Sequence, residues 1–545
     1  MKLLFYIFLF WRIQAVIADD SQVKTNDESD LFSVYTNAVI QTYRSILHRD
    51  PEPEALTLYA QQLTNGKDIY WLREVLRNSV EGRMIEEYRR TLFFYSKIFA
   101  ICVLFSFLLI PRLWRKDKPL QKWAVMLYLL LILNGIAVSI ILQIIYSRPE
   151  ADTALTYAFK FAKGEADNDS WYPMRIAVKY IRDTHQKLLY SNVLLRRHIK
   201  FQYSPSTLLF FDMLQRFTDK PWPGIWIILN FCSWLCVLVI GVCTAYLLLG
   251  TISDIFPTSK NERFSRYVII IISIAITITY YPLTRAFHLG QIQTILTFMA
   301  TLSLIAWRKD KPAIAGGMLG LCCVVKPQFI IAFLWGCFRK QWKFVIFFLL
   351  FVGLPMLLSI FVYGLNQHGD YLKALAFINK HGESFWANQS VNGLMHRLLF
   401  NGNNTQWEKF SYAPFNQTVY ITTIVSNVII LGVALLWRIR HTPSLIDFAI
   451  MVVSLTIASP IAWDHYYGIL LPIFAIISPI LIHSRSLGKC GIICLLISFV
   501  LTSQLLEFTN QFASSYLNIL QSYIFIGAVI LLTILHLMTK NQPNK

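Results

Sequence analysis

The stretch Ala313–Phe338, AIAGGMLGLCCVVKPQFIIAFLWGCF, sets a lysine and a proline in the middle of an apolar run flanked by basic residues. Its length suits one tilted membrane span, since a helix needs about 20 apolar residues to cross a bilayer. A straight helix would strand Lys326 near mid-depth, and Pro327 removes an amide proton and collides with the preceding turn. The stretch therefore predicts two short helices meeting at a break that opens on a polar cavity, because irregular backbone at membrane depth persists only where protein or water covers it. A kinked helix with a snorkelling lysine fits less well, as snorkelling works near helix ends. The broken end, with its cation, suits an anion.

Similar apolar runs recur along the chain, near 93–111, 123–147, 224–250, 265–284, 290–307, 341–363, 419–438, 446–463, 465–483, 489–505 and 519–538. With 55% hydrophobic and 15% charged residues and a mean hydropathy of +0.48, the chain reads as an all-α polytopic membrane protein of about 11 to 13 transmembrane helices with large outer loops. The net charge of +19 does not point to nucleic acid. Its lysines and arginines fall in small groups on alternate connections, such as Arg308, Lys309 and Lys311, then Arg339, Lys340 and Lys343, which marks those connections as cytoplasmic. The remaining connections then face a periplasm or lumen. Residues 1–18 read as a secretory signal or an uncleaved anchor, and 19–92 as an extracytoplasmic helical module, with Leu56, Tyr59 and Leu63 at helical spacing and Gly66 ending that helix. The nine cysteines sit in or beside apolar segments, without disulfide or zinc spacing.

Four hydrogen-bonding or charged clusters interrupt the apolar pattern on the outer side: Asn168-Asp169-Ser170-Trp171, Arg285 to Gln291, Asn388 to Arg397, and Trp463-Asp464-His465. Each has a plain reading. The second and third are ordinary polar loops, with a turn at Asn392-Gly393, and Asp464 can cap the helix that follows. Their convergence on one membrane face argues for a shared task, since ionisable groups at bilayer edges need a partner or a role. His465, opening an apolar helix among aromatics, is hardest to explain as a loop residue.

The order of motifs is Trp171-Tyr172-Pro173 with Tyr190 and Phe201-Gln202-Tyr203-Ser204-Pro205, then Gly290-Gln291, Lys326-Pro327-Gln328, Asn388-Gln389-Ser390 with Asn392-Gly393-Leu394, and Ser459-Pro460 with Trp463-Asp464-His465. Over roughly 90–540 it resembles glycosyltransferase family 87, whose enzymes use polyprenyl phosphate sugars and include mannosyltransferases. The resemblance implies a GT-C type bundle, here residues 93–545, and a catalytic base in the first large outer loop. The matching position is Asp169, with Asp152 and Asp167 as competing assignments because residues 148–168 look like extra sequence and Ser204 stands where that family commonly has a proline. Arg49-Asp50-Pro51, Leu56, Tyr59, Leu63, Gly66 and Ser79 resemble a short module related to phycobilisome linkers.

Transfer from a lipid monophosphate sugar needs a base for the acceptor hydroxyl and cations or donors for the departing phosphate. Asp169 would be the base, with Lys326, Arg285 and His465 around the phosphate. Asp464, Trp463, Gln291, Asn388, Asn392 and Tyr172 would contact sugar or acceptor. No cofactor or metal is required, although Asp167 and Asp169 form an Asp-x-Asp pair that could hold a divalent cation; the base reading ranks above it. The expected partners are a polyprenyl phosphate sugar, a lipid or glycan acceptor and the membrane, in a bacterial inner membrane with the site facing the periplasm. The N-x-S/T patterns at Asn168, Asn388, Asn403 and Asn416 are then incidental. A secondary transporter or lipid flippase is the rival reading, against which no inverted copy of the Lys326-Pro327 break occurs in the other half.

Overall fold

The computed structural model describes residues 28–47, 49–113, 118–146, 152–184, 187–218, 221–256 and 262–540. The leader at 1–18 lies outside them. The described residues are 80% helical, and among them the extended pairing is one isolated bridge between Asn388 and Trp463. The described residues divide into two compact units, those up to 94 and those from 95 to 540.

In the first unit, helices Glu28–Ile46, Pro53–Thr64 and Ile69–Asn78 bury Val39, Tyr43, Leu63, Leu72 and Leu76 against one another. Pro53 opens its helix, where no amide partner is needed. Asp68 caps the next by accepting from the Trp71 amide at 2.6 Å.

In the second unit the helices are long and apolar. Among the described residues seven helices are long and apolar enough to cross a membrane, eight if Arg263–Ile278 and Tyr281–His288, bent by 59°, form one span. Four shorter apolar helices accompany them: Pro312–Val325, Pro327–Phe338, Leu445–Ile457 and Gly488–Ser503. The fold is thus an all-α polytopic membrane bundle. The bend differs from the expected span at 265–284 followed by a loop. Tyr280 is extended and Pro282 sits in the first turn of the next helix, so helical structure resumes and carries Arg285 on a short tilted segment rather than a connection.

The break at Lys326-Pro327 is present. Helix Pro312–Val325 stops at Lys326, whose backbone is extended (φ −125°, ψ 104°), and a 3-10 turn over Pro327–Phe329 leads into Ile330–Phe338. A second irregularity lies in Pro119–Tyr146, where Leu131–Val138 widens to a π-helix. Widening leaves carbonyls without their usual donors. Here the Asn134 carbonyl accepts from Gln504 Nε2 at 2.8 Å, and Asn134 Nδ2 donates to Ser503 Oγ at 3.0 Å.

Helix Pro312–Val325 lies against Trp342–Tyr363 at backbone distance, which glycine permits. A Cβ on Gly316 would sit 2.1 Å from the Phe344 carbonyl oxygen, and one on Gly320 2.8 Å from that of Phe348. Beside this contact Trp307 stacks on Phe448 at 4.7 Å between ring centroids, with Trp335 edge-on at 5.5 Å to Phe448. Small residues at such crossings let packing substitute for the hydrophobic drive that lipid removes. Gly316→Leu should therefore push the two helices apart and cost about 1–3 kcal/mol, read as a lower thermal unfolding midpoint in detergent. An unchanged midpoint would show that the crossing tolerates the bulk.

Candidate functional site

A cavity of about 960 Å³ opens where the helix breaks and bends meet. It receives residues from three of the four interrupting clusters, namely Asn168 and Asp169, then Arg285, Leu289 and Gln291, then Trp463 to His465, with Asp167 beside the first and Lys326 from the broken helix; the Asn388 to Arg397 cluster sends none, and only Ala387 just ahead of it reaches the wall. Its floor is made by Lys326, Asp464 and His465, all buried. Its mouth carries the exposed Tyr172, Trp407 and Phe410.

Asp169 is held by a short backbone zipper. The amides of Asp167, Asp169 and Ser170 donate to the carbonyls of His288, Leu289 and Gly290 at 2.8, 2.9 and 3.2 Å. Gly290 has φ +65°, and a Cβ there would fall 2.0 Å from the Asp167 carbonyl oxygen. Glycine is the residue that fits both demands. The next residue, Gln291, donates through Nε2 to Asp169 Oδ2. Its Oε1 accepts from Ser170 Oγ at 2.8 Å and Tyr203 OH at 3.3 Å, which fixes the amide's orientation because two hydroxyls need an acceptor. Burial pushes the Tyr203 phenol up, so it stays a donor. Gln291 is thus engaged with the carboxylate itself.

Lys326 Nζ donates to Gln293 Oε1 at 2.7 Å and lies 3.0 Å from the centroid of the Tyr466 ring. Arg285 Nη1 meets the Tyr157 hydroxyl at 2.5 Å, and its Nε is buried without a partner. Among the described residues neither cation has a carboxylate within 4 Å. Between them stands Asp464. It accepts from the Tyr281 hydroxyl at 2.6 Å through Oδ2, and from the His465 amide at 2.8 Å through Oδ1, with His465 Nδ1 at 3.1 Å from Oδ1. The carboxylate places the ring proton on Nδ1, so Nε2, buried and unpartnered, presents a lone pair when the ring is neutral and a donor when it is charged.

Asn388 and Asn392 lie behind the wall. Asn388 Nδ2 donates to the carbonyls of Glu383 and Pro460 at 2.8 and 3.2 Å, and its Oδ1 accepts from the Ala462 amide at 3.0 Å. Asn392 bonds the Glu383 amide and the Thr423 hydroxyl, each at 3.2 Å. Their polar atoms are engaged by backbone and by hydroxyls outside the cavity, and the bond from the Asp464 amide to the Ala387 carbonyl at 2.8 Å shows what that clasp positions. Asp152 is not on the wall either: it pairs with Lys160 at 2.8 Å. Asp167 lines the cavity beside Asp169, while no group of three or more His, Cys, Asp or Glu gathers for a metal among the described residues. Tyr157, Gln293 and the mouth residues Arg197, Lys200 and Lys409 were not singled out from sequence. A glutamine one helical step inside an apolar run, as at Gln293, was the available signal.

The family model for glycosyltransferase family 87 matches residues 201–460. That region belongs to the family. The chain is a membrane glycosyltransferase, and the family 87 match takes in Tyr203, the Gly290-Gln291 corner, the broken helix and the Asn388 clasp, while Asp169 and the Asp464–His465 pair flank it. No curated protein and no solved structure matches the chain.

Gly290→Ala should uncouple the zipper, lowering transfer at least about 100-fold if Asp169 is the base it positions, while circular dichroism stays unchanged; wild-type activity would show that the loop holds without it. Near Arg285, burial and the neighbouring Asp152 push the Glu507 carboxyl up to about 7. A raised carboxyl favours the folded state below its ordinary pKa and loses that advantage as pH rises through about 7. Wild type should therefore lose thermal stability across that window relative to Glu507→Gln, and parallel curves for the two proteins would contradict the assignment.

Proposed function

We propose that the chain transfers a hexose, mannose in the first instance, from a polyprenyl phosphate sugar to a hydroxyl of a lipid or glycan acceptor on the periplasmic face of a bacterial inner membrane. The observation that carries this is the gathering of Asp169, Lys326 and the Asp464–His465 pair on the walls of one cavity. A carboxylate held by an amide at one side and uncompensated cations at the other is the arrangement such a displacement uses.

The acceptor oxygen attacks the anomeric carbon as the bond from that carbon to the phosphate oxygen breaks. Asp169 takes the hydroxyl proton, and polyprenyl phosphate leaves with the bonding electrons. A single displacement inverts the anomeric configuration. Lys326 faces the departing charge from the helix break, where low surrounding polarity strengthens the attraction. His465, charged, donates through Nε2 to the same phosphate, with Asp464 stabilising the imidazolium. Arg285 stands on the far side of Asp464 and adds positive potential there. Trp463 and Tyr172 on the cavity wall offer faces to sugar rings. A divalent ion at Asp167 and Asp169 remains the second use of that pair, and a monophosphate leaving group does not call for it.

Purified protein incubated with a panel of radiolabelled polyprenyl phosphate sugars and membrane extract should label one product. Asp169→Asn should reduce its formation by more than about 100-fold without unfolding the protein; retained turnover removes Asp169 as the base, and loss in Asp167→Ala instead relocates it. Lys326→Ala should raise the apparent KM for the donor most. Unchanged donor binding in that variant would end the phosphate role of the break.

A further inference from the structure

We infer that the acceptor carries a fixed negative charge, a phosphate or carboxylate, which Arg197 and Lys409 seat at the cavity mouth. This rests on the transferase reading above. The walls hold five cationic side chains of lysine and arginine against three carboxylates. Lys326 and Arg285 are deep, and a monophosphate donor brings the one phosphate they would face. Lys200 is taken: its Nζ binds Glu383 at 2.9 Å and the Glu408 carbonyl at 2.9 Å. Arg197 and Lys409 are left over.

Both are exposed, and among the described residues neither has a carboxylate within 4 Å. They touch aromatic faces instead, Arg197 over Tyr180 at 5.4 Å and Lys409 over Tyr172 and Phe410 at 5.8 and 5.6 Å. Their loops are tied together across the opening. Lys200 lies over the rings of Trp407 and Tyr412 at 5.0 and 4.6 Å, so the segment bearing Lys409 is fastened next to the one bearing Arg197. A neutral glycan would be served by the aromatic faces alone. Two cations fixed beside those faces, without counter-charges, raise the local concentration of an anionic acceptor and orient it by charge-assisted hydrogen bonds. A membrane headgroup carries the same charge, and the test separates the two sources.

The full chain is placed in phosphatidylcholine nanodiscs with undecaprenyl phosphate added to fill the deep pair, and octyl mannoside and octyl mannoside 6-phosphate are titrated by calorimetry. The phosphorylated probe should bind at least about tenfold tighter, a difference of ~1.4 kcal/mol, and Arg197→Ala/Lys409→Ala should erase the difference. Equal binding of the two probes, no binding of either, or a preference that survives the double substitution overturns the proposal. Discs containing phosphatidylglycerol supply the other arm: if the wild-type preference vanishes there, the pair belongs to headgroups and the proposal fails. Because the readout is binding, Asp169→Asn should retain the preference in full, and a chain that prefers the charged probe yet transfers nothing rejects the transferase reading alone.

Discussion

A buried lysine with no carboxylate within 4 Å among the described residues is the constraint around which the second unit is arranged. Lys326 sits at a helix break that Pro327 enforces, and it is compensated by a neutral amide oxygen and an aromatic face rather than by a carboxylate. Such compensation keeps the charge tolerable and leaves its field available. A direct partner such as the one Lys200 has in Glu383 would have cancelled it. Two of the three carboxylates that line the cavity are engaged by other groups, Asp169 by Gln291 and Asp464 by Tyr281 and His465.

The walls are held by two different kinds of backbone device. On one side the amides of 167–170 pair with carbonyls of 288–290, and a positive φ at Gly290 lets the two strands of loop approach. On the other, Asn388 and Gln389 bind the segment leading to Asp464: Asn388 Oδ1 accepts from the Ala462 amide, and the Gln389 amide donates to the Ala462 carbonyl at 2.7 Å. Both devices place a cavity-lining side chain by fixing its main chain, so that the side chain itself remains directed to the cavity. Positioning of this kind, set before substrate arrives, is where most of an enzyme's electrostatic advantage originates.

Much of this was legible from residues that violate their surroundings. A lysine and a proline inside an apolar run imply a break whatever the fold, and polar clusters between spans imply a shared face. Asn388 and Asn392 show where that reasoning stops. A polar loop residue and a ligand-binding residue look alike in sequence, and the partners that decide between them, Pro460, Ala462 and Thr423, are distant in the chain. Arg285 was legible as a cation but not as part of a helix, because the bend at Tyr280 depends on packing that no local pattern records. The exposed basic residues at the mouth carried no signal either, since surface lysines and arginines are common on any loop.

The π-widened turn at Leu131–Val138 has a consequence for biogenesis. Its Asn134 side-chain Nδ2 and backbone carbonyl find partners in Ser503 and Gln504, which lie 369 and 370 residues downstream. Gln389 likewise donates to the Gln521 carbonyl, and Arg397 to Ser522. Polar groups of an early span and of the segment behind the cavity wall thus find these partners only once the last helices have left the ribosome.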